Sequence, residues 1–190
     1  MAIMLGTMMI GMEGRSVWYF YASPISARSL VRAKYAFTAL FSLAVMLVCS
    51  IIAGVLFTPS AGIAVLSVAE AFFLVFALSV VSLSFGIKGP DFSEHLRRRM
   101  IRTKWALING LVCTLLALTI VSPIIPYALS LAFETIGSSV GISLPISEAY
   151  LYIALPASGI IACIIAYMFY RIALRNAEGL LTEAEVEISI

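Results

Sequence analysis

Apolar residues gather in four long runs, roughly Tyr35 to Phe57, Gly62 to Ile87, Trp105 to Ile125 and Tyr150 to Ile172. Membrane-barrel strands would alternate apolar and polar positions with period two, whereas these runs are apolar on every face, so helices are predicted. A helix rises about 1.5 Å per residue and the hydrocarbon slab is about 30 Å thick, so each run of roughly 20 residues is long enough to cross it. A fifth segment, 1–12, is apolar but would reach only about 18 Å as helix. No basic residue precedes its apolar stretch, as a signal peptide requires, so it reads as the end of a span whose beginning lies outside the chain.

Polar and helix-breaking residues divide the remainder. Between the first two runs stands the short turn Thr58-Pro59-Ser60-Ala61. In the stretch 13–34, Trp18, Tyr19, Phe20 and Tyr21 have the amphipathic rings of a headgroup-level segment, Pro24 stops one helix, and Ser26 can cap the next. Gly89 and Pro90 end the second run, and Asp91 with Glu94 three residues on has capping-box spacing for a new helix. Pro123 and Pro126 break the third, leaving a ten-residue apolar piece, Tyr127 to Ile136, of a length that suits a re-entrant or surface-lying helix. Pro156 should kink the last. The expectation is an all-α, polytopic membrane helical bundle: four full spans, a truncated N-terminal span and a short outer re-entrant helix. Its transmembrane domain covers 1–177, and 178–190 is a polar tail.

Composition agrees. The chain is 62% hydrophobic and 12% charged, with a mean hydropathy of +1.08, against about 25% charged residues in soluble domains. All 12 Lys and Arg residues fall on one side of the predicted spans. Arg15, Arg28, Arg32 and Lys34 precede the first, Lys88, Arg97, Arg98, Arg99, Arg102 and Lys104 separate the second from the third, and Arg171 and Arg175 follow the fourth. Because such residues stay inside during insertion, the basic loops and C-terminus are placed in the cytoplasm of a multi-pass plasma-membrane protein. Since these bases flank spans, they anchor topology on anionic headgroups or bind a partner, and nucleic acid is not an expected partner.

Few residues carry candidate chemistry. Glu70 lies about 12 Å inside its run, where a charge costs at least a few kcal/mol. It reads either as a polar contact on a translocation path or as a protonated carboxyl bonded to a neighbouring helix. Asn109, about one turn inside the third run, reads as helix glue. Ala154, Ser158, Ala162 and Ala166 form a stripe of small side chains suited to close helix packing, within the chain or between copies. Cys49, Cys113 and Cys163 lie in different runs without Cys-x-x-Cys spacing and read as packing residues. Asp91, Glu94 and the single histidine, His95, are explained by capping and solvation, so no catalytic, metal or cofactor site is expected. His-Glu-x-x-His, Gly-x-Ser-x-Gly and Gly-x-x-x-x-Gly-Lys-Ser/Thr are all missing. The chain is accordingly expected not to be an enzyme, with any ATP hydrolysed by a partner.

The segment Glu13 to Lys34 resembles the cytoplasmic loop of type 2 ATP-binding-cassette exporter permeases. An acidic-Gly-Arg start, a hydrophobic stretch, a Pro-Ile-Ser turn and a Lys before the next span stand here as Glu13-Gly14-Arg15, Val17 to Tyr21, Pro24-Ile25-Ser26 and Ala33-Lys34. The resemblance implies that Glu13, Gly14, Arg15, Trp18, Pro24, Ile25 and Ser26 form a coupling interface with an ATPase subunit, and that a second permease half or a second copy is required. It also implies that the chain begins at the end of span two of a six-span domain. Under this reading the chain is a permease subunit of an ATP-driven exporter; the alternative is a scaffold or assembly subunit that moves no solute.

Overall fold

The computed structural model describes residues 2–8, 26–58, 61–88, 103–130 and 148–188. Among them every regular element is a helix and there is no strand. Helix α1 is Ala2–Met8, α2 Ala27–Phe57, α3 Ala61–Lys88 and α4 Thr103–Val121. A short helix, α5, covers 125–130. A 3₁₀ turn at Glu148–Tyr150 then leads into α6, Leu151–Ile188. Four of these, α2, α3, α4 and α6, are long and apolar enough to cross a membrane.

Helix ends follow local chemistry. Ser26 caps α2, its hydroxyl accepting from the Ser29 amide at 3.3 Å. The amphipathic stretch that follows is continuous with the apolar run, so α2 spans 31 residues without a break. Its far end closes at Thr58, whose φ of 40° lies in the left-handed region and whose amide returns to the Gly54 carbonyl at 3.1 Å. A β-branched residue is costly there. Helix α4 stops at Val121 rather than at Ile125, because Pro123 has no amide to continue the ladder and residues 122–124 turn. Pro126 falls in the first turn of α5, where a missing amide is tolerated. The predicted re-entrant piece begins with α5, and its residues 131–136 lie outside the described residues. Helix α6 runs through Pro156 and on to Ile188, well past the apolar run that predicts it.

Helix α3 occupies the centre and packs against α1, α2, α4 and α6. One apolar cluster joins Ala77 and Val81 of α3 to Cys113 and Ile120 of α4 and to Ala162 and Ile165 of α6. A second joins Ala27 and Val31 of α2 to Leu83 and Ile87 of α3 and to Ala173 and Ala177 of α6. The rest of α2 is far less covered: Ile51 is 67% exposed, Val55 72% and Phe57 78%.

The crossing of α1 and α3 brings backbone against backbone. A Cβ built on Gly86 would stand 2.5 Å from the Gly6 carbonyl oxygen and 2.8 Å from that of Thr7, so the two backbones touch. Small residues at four-residue spacing permit this on both sides, Ala2 and Gly6 on α1, Ser82 and Gly86 on α3. We expect Gly86→Ala to cost about 1–3 kcal/mol through overpacking against backbone that cannot yield. Gly54→Ala, where nothing lies within 4 Å of the added carbon, should not destabilise. Thermal unfolding of the two variants in detergent checks this.

Candidate functional site

Glu70 sits on α3 facing α6, 8% exposed. Its Oε2 lies 2.8 Å from the Ser158 Oγ, which also reaches the Leu155 carbonyl at 2.9 Å. A hydroxyl has one proton. Ser158 Oγ donates to Glu70 Oε2 and lies close enough to the Leu155 carbonyl to share that proton with it. Oε1 is buried without a hydrogen-bond partner among the described residues. One turn farther along α3 the Phe73 ring rests on Gly159, whose added Cβ would stand 3.0 Å from the ring. Glu70, Phe73, Ser158 and Gly159 thus form one contact between α3 and α6.

The small-residue stripe belongs to the same interface. Ala154, Ser158, Ala162 and Ala166 are all buried, against this chain's own helices. Absence of bulk on α6 is what brings a serine within reach of the carboxyl.

Asn109 stands at the opposite end of the bundle, 1% exposed. Its Nδ2 donates to the Thr7 Oγ1 at 2.9 Å, joining α4 to α1, and its Oδ1 accepts from the Cys113 thiol at 3.3 Å. Thr7 in turn donates to the Ile3 carbonyl. The row Cys113, Asn109, Thr7, Ile3 is therefore a continuous chain of donors and acceptors running from α4 to α1. Beside it, Ser82 of α3 donates to the Ala2 carbonyl at 3.1 Å. Thr7, Gly6, Ser82 and Gly86 had no place among the sequence candidates; the paired four-residue spacings of small residues were the signal that could have found them.

Farther along α3, Lys88 Nζ lies 5.0 Å above the Trp105 ring of α4, and Asn176 of α6 donates to the Ser84 carbonyl at 3.2 Å. A groove of about 380 Å³ separates the far halves of α2 and α3, with Met46, Cys49, Ser50 and Gly54 on one wall and Ala64 and Val68 on the other. Of the coupling residues, only Ser26 is described, as the cap of α2. Glu13, Gly14, Arg15, Trp18, Pro24 and Ile25 lie outside the described residues, as do Asp91, Glu94 and His95. Among the described residues no group of three or more His, Cys, Asp or Glu side chains could hold a metal.

Comparison with known proteins adds one finding. The family model described as putative ATP-binding cassette matches residues 7–180. No curated protein and no solved structure matches. The match corrects the expectation that the chain is not an enzyme, since an ATP-binding cassette is a class of domain that hydrolyses ATP. That expectation rested on the absence of several short catalytic motifs, the phosphate loop among them, which is negative evidence, and the family match overrides it.

A double-mutant cycle tests the α3–α6 contact. Glu70→Ala and Ser158→Ala should each destabilise the protein, with a coupling energy of about 0.6–2 kcal/mol between them, the range for hydrogen bonds between membrane helices. Glu70→Gln, which keeps shape and hydrogen-bonding capacity, should unfold near the parent temperature.

Proposed function

Because the chain belongs to the putative ATP-binding cassette family, we propose that it forms the membrane-embedded part of an ATP-driven exporter. The observation that carries this reading is the combination of that match with four helices long enough to cross a membrane. An all-helical bundle with apolar surface on most faces is suited to line a path through lipid.

In this reading α2, α3, α4 and α6 are the spans of a plasma-membrane protein whose twelve bases face the cytoplasm. Segment 13–26 lies on that side, and Glu13, Gly14, Arg15, Trp18, Pro24, Ile25 and Ser26 take up movement from the nucleotide-binding parts of the transporter. Its partners are an ABC-type ATPase subunit and a second permease half or a second copy. ATP-driven closure displaces the segment, the spans re-tilt, and the path opens outward. Glu70 and Ser158, deep between α3 and α6, form a polar contact that such tilting makes and breaks.

The test is affinity purification of the tagged protein in mild detergent from its native host, with mass spectrometry and an ATP-hydrolysis assay of the recovered complex. An ABC-type ATPase subunit should copurify, and substitution of Glu13 or of the Pro24-Ile25-Ser26 turn should reduce its recovery. A different membrane complex with no ATP hydrolysis would refute the reading in favour of a scaffold.

A further inference from the structure

The seam between α2 and α3 is closed at one end and open at the other. Near Ser26, Ala27 and Val31 of α2 pack with Leu83 and Ile87 of α3. Toward Phe57 the helices part around the groove of about 380 Å³, a volume within the range of small-ligand sites, roughly 300–1,000 Å³. Among the described residues no charged side chain lines it. Its two serines are already committed: Ser67 donates to the Ala64 carbonyl at 3.0 Å and Ser50 to the Met46 sulfur at 3.5 Å.

Tyr35, Ser42 and Cys49 recur every seven residues, two helical turns, and so share one face of α2. That face addresses α3, since the Tyr35 ring meets Phe76 edge-on with centroids 6.0 Å apart and Cys49 stands on the groove wall. Ser42 therefore lies at the inner end of the groove, one turn in from Met46. It is 3% exposed, and its Oγ has no hydrogen-bond partner among the described residues. A hydroxyl within a helix can return its proton to the carbonyl one turn back, as Thr38 of the same helix does to Lys34 at 2.9 Å. Ser42 does not. An unpartnered hydroxyl away from water is destabilising, so a ligand that met it would gain a bond the fold leaves unmade.

We infer, independently of the transporter reading, that this groove binds a neutral amphiphile drawn from the lipid: an alkyl chain ending in one uncharged hydrogen-bonding head, as in a fatty alcohol. The chain lies between the walls at Met46 and Val68, and the head, entering first, meets Ser42. A charged head would be stranded, because nothing charged lines the groove to pair with it. A plain hydrocarbon would fit the walls and leave Ser42 unmatched.

The test is photolabelling of the full chain in membranes of its native host with decanol carrying an aliphatic diazirine in its chain, the adducts being mapped by mass spectrometry. Label should concentrate on residues 46–57 and 64–68, saturate with dose, and be displaced by 1-decanol but not by decane. Ser42→Ala removes only the unpartnered hydroxyl, so it should unfold at the parent temperature or above. It should weaken displacement by decanol roughly two- to tenfold, the worth of one hydrogen bond. Gly54→Leu places a side chain in the groove, where nothing stands within 4 Å of an added Cβ, and should abolish the saturable label. Label spread equally over the exposed α4 face at Leu111, Leu115 and Leu118, or displaced by decane as well as by decanol, would overturn the site in favour of an ordinary acyl chain filling the groove. Unchanged displacement in Ser42→Ala, or saturable label that survives Gly54→Leu, overturns it too.

Discussion

A helix that is apolar along most of its length and packed among four neighbours has few places to turn its polar atoms, so they bond to its own backbone or to a neighbour. Helix α3 is that helix, and its polar atoms account for much of the bundle's layout. Ser82 reaches α1, the Ser84 carbonyl reaches Asn176 of α6, and Glu70 reaches Ser158 of α6. Apolar packing alone would allow neighbouring helices to slide or rotate, because one Leu or Val face is much like another. Directional hydrogen bonds remove that freedom, at depths where an unpaired polar group costs several kcal/mol. Of the four exceptions among the described residues, Ser79 Oγ and Glu70 Oε1 lie on this helix, and the Tyr35 hydroxyl and Ser42 Oγ lie on α2.

The two ends of the bundle differ in kind. Around Ser82 to Lys88, four helices converge with backbone contact, a threaded row of hydrogen bonds and a cation over an indole. At the other end α2 stands away from its neighbours, with an open groove between it and α3. A structure tight at one end and loose at the other deforms where it is loose. Asymmetry of that kind suits a device driven from one side that acts on the other.

How much of this the sequence disclosed depended on the range of the signal. Apolar runs are local and uniform, so the existence of the long helices was legible from hydropathy alone. Glu70 and Asn109 were conspicuous for being polar among apolar neighbours, but their partners were not, since Ser158 and Thr7 lie 88 and 102 residues away. Nothing local tells Asn109 which hydroxyl it will meet. The break after Val121 was signalled by Pro123, and the start of α2 by Ser26, after which the sequence predicted an amphipathic helix leading into the membrane. Gly6 and Gly86 were overlooked: a glycine announces itself in a turn, but within a helix its use appears only when another backbone is placed against it. Membership of an ATP-binding-cassette family was reached from the Glu13 to Lys34 resemblance. The expectation that the chain is not an enzyme was not sound, because absence of short motifs is weak evidence about a whole family's chemistry.

The crossing of α1 over α3 also bears on how this sequence can drift. A side chain at position 86 would lift α1 away, and the lift would stretch the Ser82 and Asn109 bonds in the same movement. Positions 6, 7, 82, 86 and 109 therefore do not change one at a time. In descendants of this chain they should be kept together or exchanged together, leaving a covarying set that ties the first few residues to the middle of the protein, while the exposed face of α2 is free to vary position by position.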